Sequence, residues 1–190
     1  MTHRFAEIAF TDGVKAAQER YGSRSAYART AALEGPDVGL GAREAAFIAA
    51  RDSFYLATVS ESGWPYIQHR GGPTGFLKVV DARTLAFADF GGNRQYVSVG
   101  NAARNDRVSL FLMDYANRLR LKLLGRIEFH DLGDAPPELV FEVELPGYRA
   151  RVERVAVIRV EAFDWNCPQH ITPRFSAAEF AAREPISAGR

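Results

Sequence analysis

The segment from Tyr66 to Asn101, YIQHRGGPTGFLKVVDARTLAFADFGGNRQYVSVGN, gathers the groups of this chain best suited to chemistry. Gly91-Gly92-Asn93-Arg94-Gln95 reads as a turn into a helix. Asn93 is placed to cap that helix, and the two glycines allow a ligand close to the backbone. Arg94 offers a planar fork suited to phosphate, and Gln95 adds a neutral donor. Lys78, on a neighbouring strand, adds a second positive charge. Upstream, Arg70-Gly71-Gly72-Pro73-Thr74-Gly75 interrupts a strand pattern, and glycine in a strand marks a bulge or a close backbone approach. Its N–H groups and Arg70 suit the acceptor-rich edge of a planar ring. A strand platform beside a helix N-terminus is what a phosphorylated planar cofactor requires: a flat surface and an anion site. Each piece also has a plainer reading, a capped helix with a solvated arginine and a long loop.

Other chemistry-bearing residues are more scattered. Arg118, Arg120 and Lys122 form a basic strand face whose alternate residues are leucines. Nucleic-acid binding would want aromatics there instead, so a solvated face or one arginine reaching a cofactor remain. The tail carries Trp165, Asn166, Gln169, His170, Arg174 and Phe175. It reads either as the wall of a pocket or as a tail pinned to its own barrel by Trp165. The single cysteine, Cys167, precedes a proline, has no activating base nearby in sequence and reads as structural. No Ser-His-Asp or paired-carboxylate pattern points to a hydrolase, and no CxxC or histidine cluster points to a metal.

The elements that position these groups are mostly strands. Thirteen Phe and seven Tyr favour β structure. The spacing predicts strands over 54–59, 64–70, 75–80, 84–90, 107–113, 118–129 and 154–163, and a helix over 93–104. Helices are expected over Thr11–Tyr21, Ala26–Leu33 and Ala42–Asp52, with Glu34-Gly35-Pro36-Asp37 as a breaker, and a short helical stretch from Pro136-Pro137 to Leu145. Six or seven antiparallel strands joined by hairpins predict a mainly β, closed or split barrel, which removes exposed sheet edges. The division expected is a helical arm over 1–45, the barrel with its tail over 46–175 and an extension over 176–190. Lys+Arg is 24 against Asp+Glu 23, a formal charge of +1, which gives no general reason to bind nucleic acid or an anionic membrane. With no apolar leader or membrane-length run, the expected location is cytoplasmic.

Between Ala46 and Phe129, and again from Phe163 to Phe175, the chain resembles the pyridoxamine 5'-phosphate oxidase-like FMN-binding split-barrel proteins. GFLKVVDARTLAF, the Asn93-Arg94-Gln95 turn, NAARNDRVSLFLMD and RLRLKLLGRIEF carry the likeness in order. QHRGGPTGFLK, GNRQY and WNCPQHITPRF resemble the oxidase-related branch. The resemblance implies a homodimer with FMN at the subunit interface. It implies that Arg70, Phe76, Leu77 and Lys78 contact ring, ribityl chain and phosphate and that Arg94 and Gln95 bind the phosphate, while the Gly71–Gly75 insertion, a departure from the family, lies beside the ring. Arg120 stands where the oxidases place a glutamine from the partner chain, and Trp165 matches a tail tryptophan near the flavin, with Gln169 close by. Gln95 replaces a lysine common in the oxidases, and the tail keeps Trp165, His170 and Arg174 without the oxidases' spacing. The expected function is therefore an FMN-dependent oxidoreductase of unknown substrate, with His170 and Arg174 contacting substrate. A non-catalytic flavin or haem sensor is the rival, with His69, His130 or His170 as haem ligand.

Overall fold

The computed structural model describes residues 3–31, 39–165 and 167–181. Four helices come first: α1 (His3–Ala9), α2 (Asp12–Arg20), α3 (Arg24–Ala31) and α4 (Ala42–Ala49). Then follow β1 (Ser53–Val59), β2 (Pro65–Gly71), β3 (Lys78–Asp81), β4 (Thr84–Phe90), α5 (Val97–Ala102), β5 (Arg107–Asp114), β6 (Leu119–Asp131), α6 (Pro137–Glu142), β7 (Val152–Trp165) and α7 (Ala177–Ala181). Capping explains the helices. Thr11 accepts the Val14 N–H at the start of α2, and Tyr21 closes its end. Glu44 reaches back to the Gly41 N–H at the start of α4. The breaker expected at Glu34–Asp37 lies outside the described residues.

The seven strands form one sheet in the order β2-β1-β5-β6-β7-β4-β3, each pair of neighbours antiparallel. The sheet curls, so its concave face becomes the core. Phe54 of β1 packs its ring against Phe76 at 5.7 Å and Phe87 of β4 at 5.4 Å, although β1 and β4 are not neighbours in the sheet. Leu56, Leu110, Leu112, Leu121, Leu123 and Ile158 complete this interior. β4 is buried on both faces, since Ala86 and Ala88 pack outward on Val143 and Val155 beside α6. The split-barrel expectation therefore stands.

Several boundaries differ from the sequence expectation, three of them around the cleft and the last strand. The strand expected from Gly75 starts only at Lys78, because Pro73 to Phe76 closes a turn and Gly75 sits at φ 78°. The last strand extends to Val152–Trp165, held along its length by its pairing with β6 and β4. The helix expected over 93–104 shrinks to α5, for reasons set by the loop before it.

Candidate functional site

That loop is the centre of the site. Asn93 does not cap a helix. Its Oδ1 accepts the Gln95 N–H at 3.1 Å and its Nδ2 donates to Gln95 Oε1 at 3.3 Å, an Asx turn that competes with helix formation. Arg94 (φ 61°) and Tyr96 (φ 52°) both lie in the left-handed region, and Tyr96 becomes the residue preceding α5. The positive φ values thus fall on side-chain-bearing residues, not on Gly91 or Gly92. Non-glycine residues held there cost energy and mark places where surroundings over-determine the backbone. Gly91 has a separate reason: a Cβ there would come within 3.1 Å of Glu153 Oε1.

The loop faces β2 across the split. Between them lies a cleft of about 410 Å³ lined by Gln68, Arg70, Asp89, Arg94, Tyr96, Glu153 and Arg154 among others. A second recess of about 470 Å³, lined by Gly71, Phe76 and Phe87, shares Gln68, Arg70, Asp89 and Phe90 with it.

Asp89, only 2% exposed, is the electrostatic centre. Arg70 Nη1 donates to its Oδ1 at 2.5 Å and Arg154 Nε to its Oδ2 at 2.9 Å. Asp89 and Arg154 are direct cross-strand partners, whereas Arg70 crosses from β2 to β4 over the opening of the barrel. The β4–β7 register then shifts, Asp89 pairing with Arg154 and Phe90 with Val152. This leaves Glu153 as the extra residue, a bulge that re-aims a side chain. Glu153 Oε2 accepts Arg154 Nη2 at 2.9 Å. Burial works against the Arg154 charge, but the Asp89 and Glu153 bonds outweigh it and raise its pKa. Arg94 Nε donates to the Tyr96 hydroxyl at 3.3 Å, and that bond with the nearby Glu153 charge raises the Arg94 pKa. Three arginines against two carboxylates leave the cleft cationic. The Arg70 Nε is buried and has no hydrogen-bond partner. The arrangement can hold an anion.

The structure brings Arg70, Gly71, Phe76, Asn93, Arg94 and Gln95 to these two adjoining recesses. Other candidates lie elsewhere in the protomer. The N–H groups expected to meet a ligand are taken: Gly72 donates to Asp52 O, Gly75 to Arg51 O and Phe76 to Pro73 O. Gly72 is required instead by packing, since a Cβ would meet the Phe76 ring at 2.8 Å. The Phe76 and Leu77 side chains belong to the core, each 1% exposed. Lys78 opens β3 opposite Ala86 and does not line the Arg94 cleft of its own protomer. Arg120 pairs with Met113 on β6, and its Nε is buried without a partner.

The tail follows the pinned alternative at its start. Trp165 donates its indole N–H to Glu44 Oε1 at 2.7 Å, packs edge-on against Phe47 at 4.8 Å and carries Arg43 over its ring at 4.1 Å. Burial would raise the Glu44 carboxyl, but the Trp165 and backbone hydrogen bonds hold it below its usual value. Gln169 and His170 are exposed, His170 at φ 62°. Arg174 stands 5.0 Å over the Tyr115 ring in a separate cleft of about 1090 Å³ with Arg51, Asp114 and Phe175. His69 meets Tyr55, and His130 lies 3.5 Å from Glu128. Among the described residues no group of three or more His, Cys, Asp or Glu is arranged to hold a metal ion. No described helix is long and apolar enough to cross a membrane.

Sequence reasoning passed over Asp89, Tyr96, Glu153 and Arg154. One signal was available: Asp89 is the lone charge in the apolar strand TLAFADF, and a buried carboxylate requires a partner.

A curled seven-stranded antiparallel sheet with an arginine-lined cleft across its split defines a split-barrel protein. Comparison with known proteins gives the family. The family model described as pyridoxamine 5'-phosphate oxidase matches residues 40–165, and the chain belongs to that family. No curated protein matches the sequence. Among solved structures it is similar to HupZ of Group A Streptococcus, at 17% identity and TM-score 0.53, covering 72% of this chain and 100% of that one. It is also similar to a Lactobacillus delbrueckii protein provisionally given the oxidase's name, at 20% identity and TM-score 0.50, covering 66% of this chain and 93% of that one. These likenesses are of fold.

Proposed function

We propose that the cleft between β2, β4 and the 91–96 loop binds FMN and that the protein is an FMN-dependent oxidoreductase. The observation that carries this reading is the pair of unused arginine donors in one cationic cleft. Arg70 Nε is buried without a partner, and neither Arg94 Nη has one among the described residues. An acceptor-rich, phosphorylated ring fits both, and membership of the oxidase family supports the choice. A bound flavin would supply the electron-transfer chemistry. The protein's residues would bind and orient it: Arg94 and Gln95 at the phosphate, Arg70 at the floor, with Phe76 and Phe87 walling the inner recess.

The reading includes a homodimer. Arg120, Trp165, Gln169, His170 and Arg174 do not reach the cleft of their own protomer, so a role for them at a flavin requires the cleft of a second copy. The buried, unpartnered Arg120 Nε and an apolar recess lined by Ile8, Ala57, Val59, Pro65, Val108 and Leu124 are consistent with a covering subunit. The tail does not keep the oxidases' spacing, and the proposal does not extend to pyridoxamine phosphate as substrate.

The test is the visible spectrum of the purified protein before and after FMN is added, followed through gel filtration. Flavin bands co-eluting with the protein are expected. A Soret band would move the reading to haem, and no uptake of either would end it.

A further inference from the structure

We infer that Tyr96 is a positioning residue for anion binding, its hydroxyl holding the Nε side of Arg94 so that both Nη groups stay free as a fork for a phosphate. The inference rests on the flavin reading for its natural ligand, but not for its geometry. Arg94 is exposed at the cleft rim, and an exposed arginine samples many rotamers that binding must restrict. Its one hydrogen bond among the described residues runs from Nε to the Tyr96 hydroxyl at 3.3 Å. A guanidinium held by Nε keeps its two Nη groups for end-on, bidentate contact.

Tyr96 can hold because it is itself held. The Arg154 guanidinium lies 4.9 Å over its ring. Arg154 in turn is fixed by buried Asp89 and by Glu153. The Tyr96 hydroxyl also lies 3.5 Å from Glu153 Oε2, at the limit of a hydrogen bond, to which it donates its proton. That leaves its oxygen lone pairs for Arg94. The left-handed backbone at Tyr96 brings the phenol back over β7 instead of along α5. A line of contacts thus runs from the buried Asp89 through Arg154 and Tyr96 to the exposed Arg94. A residue of another type at this position, with the same ring but no hydroxyl, would keep the packing and lose the hold on Arg94.

The test compares FMN with riboflavin, which lacks the phosphate, by quenching of flavin fluorescence. Tyr96→Phe keeps the ring over Arg154 and should fold with an unchanged thermal midpoint. Its FMN dissociation constant is expected to rise about fivefold, the loss of one modest hydrogen bond, while riboflavin binding stays the same. In an Arg94→Ala background the Tyr96→Phe change should have no further effect. Equal weakening of both flavins, or additive losses in the double variant, would overturn the inference. Should the wild-type protein bind neither flavin, the flavin reading falls and inorganic phosphate becomes the probe. Phosphate binding weakened by Tyr96→Phe then keeps the inference, and equal or absent binding in the two proteins overturns it.

Discussion

Arg51 and Arg70 are both mostly buried arginines that donate to a buried aspartate, yet their surroundings differ at every other donor. Arg51 places Nε on Phe47 O at 3.2 Å, Nη1 on Met113 O at 3.1 Å and Nη2 on Asp114 Oδ2 at 3.0 Å. It ties the end of α4 to the end of β5, and its hydrogen bonds all serve the fold. Asp114 is equally occupied, accepting the Asn117 backbone and side-chain N–H groups as well. Arg70 ties β2 to β4 through Asp89 but keeps a buried Nε unpaired. A buried donor without an acceptor costs about 1–3 kcal/mol, a cost that a ligand acceptor would remove. One pair is a clamp saturated within the structure; the other leaves one buried donor unused.

The largest effect should come from breaking the saturated pair. Arg51→Ala leaves Asp114 buried and short of a charge partner, and should destabilise the protein by about 3 kcal/mol or more in urea unfolding. Arg70→Ala should cost less, about 1–2 kcal/mol, because Arg154 still holds Asp89. FMN affinity should show the reverse order, lost in Arg70→Ala and kept in the folded fraction of Arg51→Ala. A loss of FMN binding that merely follows stability in both variants would break the comparison.

Arg94→Ala sharpens the functional side. It should weaken FMN binding by roughly tenfold to a hundredfold, as the loss of a charged hydrogen bond would, with the unfolding midpoint unchanged. Unchanged FMN affinity on titration would sink the phosphate assignment.

Acid unfolding provides the smallest and most selective effect. Burial by itself would raise the Asp114 carboxyl, but the Asn117 hydrogen bonds and the Arg51 charge hold it below its ordinary 3.8. A depressed folded pKa adds stability that is present above the unfolded value and is lost as pH falls through the folded one. Stability should therefore decline as pH drops below about 3.8, and Asp114→Asn should flatten that limb. A variant with the wild-type slope would show that Asp114 does not drive it.

Much of the fold was legible because it is written in short-range signals. The short gaps between the strands expected over 54–59 and 64–70, and over 75–80 and 84–90, are hairpins that the pairings of Val59 with Pro65 and Asp81 with Thr84 realise. Thr11 and Tyr21 marked the ends of α2. The site was half legible. Arg94 and Gln95 stood out by motif and Arg70 by the glycines after it. The groups that hold them did not, because Arg154 meets Asp89 from 65 residues away, through a sheet register no local pattern encodes. The Asn93 turn misled for a local reason: its side chain favours a cap and an Asx turn equally, and the Gln95 N–H took it.

The sheet begins at β2 and ends at β3, so the barrel has a seam. Among the described contacts, the Arg70–Asp89 ion pair crosses that seam from β2 to β4 with side chains instead of a backbone ladder. A seam closed by side chains can widen or tighten without breaking any β pairing. What settles into the cleft therefore lies against a part of the wall that side chains, and not a backbone ladder, close.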